Sequence, residues 1–178
     1  MNKTYKLKQN GVTLNGGFIP NEPGNRDWQA YLEWLAAGNT PEPEMTVEEA
    51  KAIKWEAVKA ERDSRKAGGF NVGALWFHSD AGSRIQHLGL KDKARDLIAA
   101  GGAMTENLTI LGQPVRWKTM DGSFVNVTAQ LAFDIVAAAG DLDARLFAVA
   151  ETHRAAVEAA ADPTAYDFSA GWPETYGG

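Results

Sequence analysis

Phe70-Asn71-Val72-Gly73-Ala74-Leu75-Trp76-Phe77 is the stretch whose reading decides the fold. It gathers aromatic and aliphatic residues in one run. Two similar runs follow: Val115-Arg116-Trp117-Lys118-Thr119 and, past Asp121-Gly122, Ser123-Phe124-Val125-Asn126-Val127. Glycine supplies the positive φ of a tight turn at little steric cost, so Asp-Gly between such runs is a hairpin signal. Together the runs predict a small antiparallel sheet of about three strands, with Phe70–Phe77 as its first strand.

Helices are expected around it. Ser79-Asp80-Ala81-Gly82-Ser83 leads into a helical stretch whose apolar side is Ile85, Leu88, Leu90, Ala94, Leu97 and Ile98, split in two by Gly89 and ended by Gly101-Gly102. Residues 103–113 read as loop or a short strand around Leu108–Leu111, and Pro114 opens the next strand where a missing amide is tolerated. Thr128 caps the longest, alanine-rich helical region, which runs to about Ala161 with a kink or break at Gly140-Asp141. Beyond Asp162-Pro163 the tail is too aromatic to hang free, so Phe168 and Trp172 are expected to fold back over the core.

On the N-terminal side, Thr46-Val47-Glu48-Glu49 is a capping box opening a helix that reaches about Lys66 and stops at Gly68-Gly69. Ile53, Trp55 and Val58 are its expected docking residues, and Lys59/Asp63 and Glu61/Arg65 its ion pairs. Ala50, Ile53, Ala57 and Ala60 follow three-four spacing and form a competing candidate, a short self-association seam. Asn39-Thr40-Pro41-Glu42-Pro43-Glu44 reads as a stiff, solvated linker. Before it, Tyr5 and Leu7 alternate with lysines, Asn10-Gly11 offers a turn, and Val12, Leu14 and Phe18-Ile19 complete a hairpin. Asn25 then caps a helix ended by Gly38, in which Trp28, Tyr31, Leu32 and Leu35 form an aromatic-rich stripe. The predicted class is therefore α+β: a small sheet packed on long helices in residues 46–178, a linker at 39–45, and a hairpin-and-helix module at 1–38.

At 178 residues the chain suffices for one core, or one core with a small appendage. Its net charge of −5, with no lysine and arginine cluster, argues against nucleic acid, which draws most of its affinity from clustered cations. Lys3, Lys6 and Lys8 instead suit the solvent face of an edge strand. The absence of cysteine excludes disulfides, thiolate metal sites and thiol catalysis. The start lacks the apolar run of a signal peptide, and no run approaches the roughly 20 residues of a membrane helix. A cytoplasmic protein is expected, unless it leaves as part of an assembly.

Catalytic signatures are weak. Gly68-Gly69-Phe70-Asn71-Val72-Gly73 lacks the Lys-Ser/Thr ending of a phosphate loop and precedes a strand, whereas such loops follow one; no Gly-x-Ser-x-Gly elbow exists. His78, Asp80 and His87 have the ligand types of a two-histidine, one-carboxylate iron site, but the second histidine of such a site normally comes from a distant strand, whereas His87 is nine residues on and helical. His78 is expected at a strand end and His87 and His153 on the surface, with Asp80 and Asp121 holding turns. Glu42, Glu44, Glu48 and Glu49 fall in a linker and a helix start, which favours solvation over acid-base work. No catalytic residue, metal ligand or cofactor is assigned.

Several motifs in order carry a resemblance: Arg62-Asp63 at a helix end, Trp76-Phe77-x-Ser79-Asp80, Trp117-x-Thr119-x-Asp121-Gly122, Val125-x-Val127-Thr128-Ala129, and Gly171-Trp172-Pro173. Over about residues 46–175 this resembles an uncharacterised domain family of tail-fibre and other small tail proteins of tailed bacteriophages and prophages. Phe18-Ile19-Pro20 with Asn25-Arg26-Asp27-x-Gln29-x-Tyr31-x-x-Trp34-Leu35-Ala36-x-Gly38-Asn39-Thr40-Pro41 is similar to a segment of phage tail-fibre assembly and baseplate-associated proteins. The resemblance implies a non-enzymatic protein acting in tail-fibre assembly, or as a minor fibre or baseplate component. Its implied partners are other tail or fibre proteins, in a homo-oligomer or on a trimeric fibre, and its implied place is the host cytoplasm during assembly or the virion tail. Trp28, Tyr31, Leu32 and Leu35 are the expected partner-binding residues, since large aromatics give contact area at little entropic cost. Recognition of a host-surface saccharide is the alternative, with a metal-dependent or hydrolytic enzyme behind it.

Overall fold

Asn15 and Gly16, with φ of 50° and 82°, join two strands of a meander that is longer than the expected hairpin. In the computed structural model, which describes residues 3–177, β1 (Tyr5–Lys8), β2 (Gly11–Leu14) and β3 (Gly17–Pro20) pair antiparallel in that order. Positive φ at both loop residues is the type I′ pattern that matches strand twist, which is why a third strand forms. The first loop is Gln9-Asn10, and Gly11 opens β2. A side chain at Gly11 would collide with the backbone of Ile19 in β3.

The described chain divides into two units, one ending at Ala52 and one beginning at Ile53. In the first, α1 (Arg26–Ala36) starts at Asn25, whose side-chain oxygen accepts from the amides of Asp27 at 2.9 Å and Trp28 at 3.1 Å, and it ends at Gly38 with φ 86°. Tyr31 meets Tyr5, Val12 and Ile19 in a small core. Glu42 lies along β1, giving its amide to the Tyr5 carbonyl and accepting from the Leu7 amide, both at 2.8 Å. The capping box forms as expected: Thr46 N donates to Glu49 Oε2 at 2.8 Å, and Glu49 N to Thr46 Oγ1 at 3.1 Å, opening α2 (Val47–Ala67).

The second unit contains β4 (Phe70–Val72), β5 (Leu75–Phe77), α3 (Ala81–Ala99), β6 (Thr109–Ile110), β7 (Gln113–Pro114), β8 (Arg116–Lys118), β9 (Phe124–Asn126) and α4 (Ala129–Ala159). Its strands form three separate two-stranded ladders, so the single sheet of about three strands is corrected. Gly73, at φ 59°, reverses the chain between the paired Val72 and Leu75, and Phe70–Phe77 is a complete hairpin. Positive φ at the first loop residue alone is the type II′ pattern. Leu111-Gly112, at φ 52° and 75°, closes β6 on β7, so Pro114 ends a strand and does not open one. The ladders meet through single backbone bonds, among them Met120 N to the Trp76 carbonyl at 2.9 Å.

Phe70 and Phe77 face each other across the first hairpin and bury against Ile135, Ala139, Leu142 and Leu146 of α4. A second core joins Leu90 and Ala94 of α3 to Leu108, Val127, Ala129 and Ala132. Both long helices are unbroken, contrary to the expected interruptions at Gly89 and Gly140-Asp141. A helical glycine costs about 1 kcal/mol, whereas burying each large apolar side chain contributes about 1.5–3 kcal/mol, so packing on either side outweighs the interruption.

The α2 face is also corrected. Val58 is buried and Trp55 lies beneath Lys59 and Arg154, but Ile53, Ala57 and Ala60 are exposed. The Glu61–Arg65 pair forms at 2.6 Å, while Lys59 turns to Glu56 and Asp63 to Arg62. The tail returns as expected: Trp172 packs on the first core, and its indole N–H donates to the Phe168 carbonyl at 2.7 Å.

Candidate functional site

The expected partner stripe is largely turned inward. Tyr31 is buried, its ring 5.0 Å from Tyr5 and 4.9 Å from Trp28, while Trp28 and Leu35 are half-buried on the same core. Leu32, 40% exposed, is the member left to solvent. Trp34, three residues beyond Tyr31, belongs with them and stands 5.0 Å from Tyr5. Its spacing carried that signal.

The histidines differ most from expectation. His87 and His153, expected at the surface, are both buried. On α3 the inward face is His87, Leu90 and Ala94, with Ile85 and Leu88 turned out at 70% and 53% exposure. On α4, His153 continues the buried series Leu142, Leu146, Ala150 toward Val157. Three-four spacing therefore contained both positions, once the histidines were counted with the apolar residues.

His87 sits among Phe70, Phe77 and Trp117, with the Trp117 ring at 4.5 Å. Burial, with the Arg84 guanidinium adding to it, pushes its pKa down to about 4, so the ring is neutral at pH 7. His78 follows the end of β5, and Asp80 caps α3, accepting from Ser83 N at 3.0 Å and from Ser83 Oγ at 2.5 Å. These bonds hold the Asp80 carboxyl below its ordinary range. Among the described residues no three histidines or carboxylates converge as a metal site.

His153 fastens the tail. Its Nε2 faces the Ala170 carbonyl at 3.0 Å, which can only accept, so Nε2 donates there, while Nδ1 shares a hydrogen bond with the Tyr166 hydroxyl at 2.8 Å. Lys54 donates to the carbonyls of Thr164 at 2.9 Å and Tyr166 at 3.0 Å. This arrangement holds a chain segment against α2 and α4.

An apolar concavity of about 250 Å³ lies between α3 and α4, lined by Arg84, His87, Leu88, Val136, Ala139 and Gly140. Arg84 is neutralised by a two-pronged pair with Asp143 at 2.8 and 3.0 Å, leaving a mostly aliphatic cleft with Leu88 on its lining and exposed Ile85 three residues away. A side chain at Gly140 would meet open space. No sequence signal pointed to this cleft, because it joins helices far apart in the chain.

Among the described residues no helix is long and apolar enough to cross a membrane. No curated protein and no solved structure matches the chain. A family described as a domain of unknown function, DUF4376, matches residues 49–170. That match covers more than half of the chain and takes in α3, α4 and the ladders beside them, so the protein belongs to the DUF4376 family.

Proposed function

We propose that this protein is a non-enzymatic bacteriophage tail protein that works through protein–protein contacts, in tail-fibre assembly or as a minor fibre or baseplate component. The observation that carries the contact reading is the aliphatic cleft between α3 and α4, with Leu88 on its lining and Ile85 exposed beside it. Large apolar side chains left in water next to a concave apolar surface are characteristic of partner sites. The likeness of the tryptophan-rich motifs to tail and tail-fibre proteins supplies the biological setting. Leu32, with the exposed parts of Trp28 and Leu35, is a second contact area.

On this reading the partners are other tail or fibre proteins, and the chain acts in the host cytoplasm during assembly or remains in the tail. Co-expression with the products of adjacent tail genes tests it. A complex is expected to co-purify with the wild-type chain and to be lost in the Ile85→Asp, Leu88→Asp double variant. Mass spectrometry of mature particles then separates a retained component from an assembly factor. Failure of the wild-type chain to associate with any tail or fibre protein would sink the proposal.

A further inference from the structure

We infer that the protein carries a shallow binding site for an acidic saccharide unit, between the β8–β9 hairpin and the start of α3. The cleft is about 420 Å³, large enough for a small ring ligand. Arg116, Lys118 and Phe124 of the hairpin line it on one side, and His78, Ser83 and Gln86 on the other. The inference is independent of the protein-contact reading, which uses other residues.

Charge is the first argument. The chain as a whole is anionic, yet none of the residues lining this cleft is acidic. Arg116 and Lys118 are two apart on one strand, which projects both to the same face. Among the described residues neither cation is ion-paired. The nearest acids in sequence serve their own turns: Asp80 is bonded to Ser83, and Asp121 to Thr119 and Ser123. The cleft is therefore a local site for a negative group on a negative protein.

Ring recognition is the second. Phe124 pairs with Lys118 across the hairpin and stays 56% exposed, although an apolar ring of that size gains from burial. The Arg116 guanidinium lies over one face of the ring, 5.0 Å from its centroid, so a cation and the exposed remainder of the ring share one surface. A flat, partly apolar ring bearing an anion meets both features at once.

The opposite side decides what kind of ring. A glutamine amide offers both donor and acceptor capacity, and a serine oxygen can accept even when its proton is engaged. Ser83 gives its proton to Asp80 and so presents acceptor capacity, while Gln86 brings a donor pair and a carbonyl. A bare phosphate or carboxylate uses donors only. Sugar hydroxyls use both, so the mixed wall favours a polyhydroxyl ring with one acidic group.

Isothermal titration calorimetry on the full chain at low salt tests this with D-glucuronate, D-glucose and inorganic phosphate as probes. D-Glucuronate is expected to bind in the millimolar range or tighter, with glucose and phosphate at least about tenfold weaker. Arg116→Gln and Lys118→Gln should each weaken glucuronate about tenfold, and Phe124→Ala about fivefold, with unchanged circular dichroism. The resonance of the Trp117 indole, which also lines the cleft, should shift on titration. Absence of glucuronate binding at about 10 mM, or equal binding of glucose or phosphate, overturns the assignment. So does undiminished binding by the folded Arg116→Gln and Lys118→Gln variants.

Discussion

The imidazole of His87 lies 4.5 Å from the indole of Trp117, and none of the three nitrogens on these rings has a hydrogen-bond partner among the described residues. A buried polar atom without a partner costs roughly 1–3 kcal/mol, so this pair sits in the core at a loss that the surrounding aromatic packing offsets. Phenylalanine has a similar flat shape and no polar atoms. His87→Phe is therefore expected to leave stability at pH 7.5 unchanged or raise it by about 1 kcal/mol, read from urea denaturation.

The same residue predicts the acid limb of stability. Its folded pKa is about 4 and its unfolded value is near 6.5, so the unfolded chain binds more protons between the two. The stability due to neutral His87 is complete above the unfolded value and is lost as pH falls toward the folded one. The shift corresponds to about 3 kcal/mol at most. Unfolding free energies from urea denaturation at pH 7.5 and 4.5 should differ less in His87→Phe than in the wild type, by roughly 2–3 kcal/mol. Equal pH dependence in the two proteins would show that His87 is not held neutral.

Asp121 reports on the β8–β9 turn. It accepts from Thr119 Oγ1 at 2.6 Å and Ser123 N at 2.9 Å, and these bonds, the Thr119 hydroxyl first, pull its pKa down to about 2. A lowered carboxyl contributes stability above its unfolded pKa and loses it as pH falls toward the folded value. Thr119→Val should move the Asp121 side-chain carbon titration upward toward the ordinary aspartate range while the hairpin persists. An unmoved midpoint would assign the shift to Ser123, whose amide and hydroxyl also face the carboxylate.

His153 predicts the behaviour of the tail. Its ring is the shared partner of the Tyr166 hydroxyl and the Ala170 carbonyl, and the Trp172 ring lies 5.2 Å away. His153→Ala removes two hydrogen bonds and opens a cavity, for an expected loss of about 2–4 kcal/mol. Limited proteolysis should then cut between Tyr166 and Trp172 well before the helices. Cleavage at wild-type rates would mean that Lys54 and Trp172 hold the tail without it.

What the sequence made legible was local chemistry. Asn25, Thr46 with Glu49 and Thr128 each cap a helix where expected, and Asp80, expected to hold a turn, caps α3, because a cap needs only side-chain and backbone atoms a few residues apart. Gly73-Ala74 lacked the Asn-Gly or Asp-Gly signature, so the hairpin in Phe70–Phe77 read as one strand. Leu111 occupies a positive-φ position that residue preferences assign to asparagine or glycine. His87 and His153 were misplaced by residue type although their spacing was right. Of the candidate sites, the Tyr31 stripe was visible as periodicity but not in its inward use. Both clefts join elements distant in sequence, and no local pattern records such a meeting.

Gly140 ties stability to the proposed partner surface. It lies inside α4, lines the α3–α4 cleft, and a side chain there would meet nothing within 4 Å. Glycine at such a position is less favourable than alanine by about 0.5–1 kcal/mol, because the unfolded chain has more conformations to lose. Gly140→Ala should therefore raise the unfolding free energy, read from urea denaturation, by that amount, and Gly140→Leu should also project bulk into the cleft. If the cleft receives a tail protein, Gly140→Leu will weaken co-purification while the folded chain remains at least as stable as Gly140→Ala within about 1 kcal/mol. Complex formation undiminished in Gly140→Leu would move the contact away from this cleft.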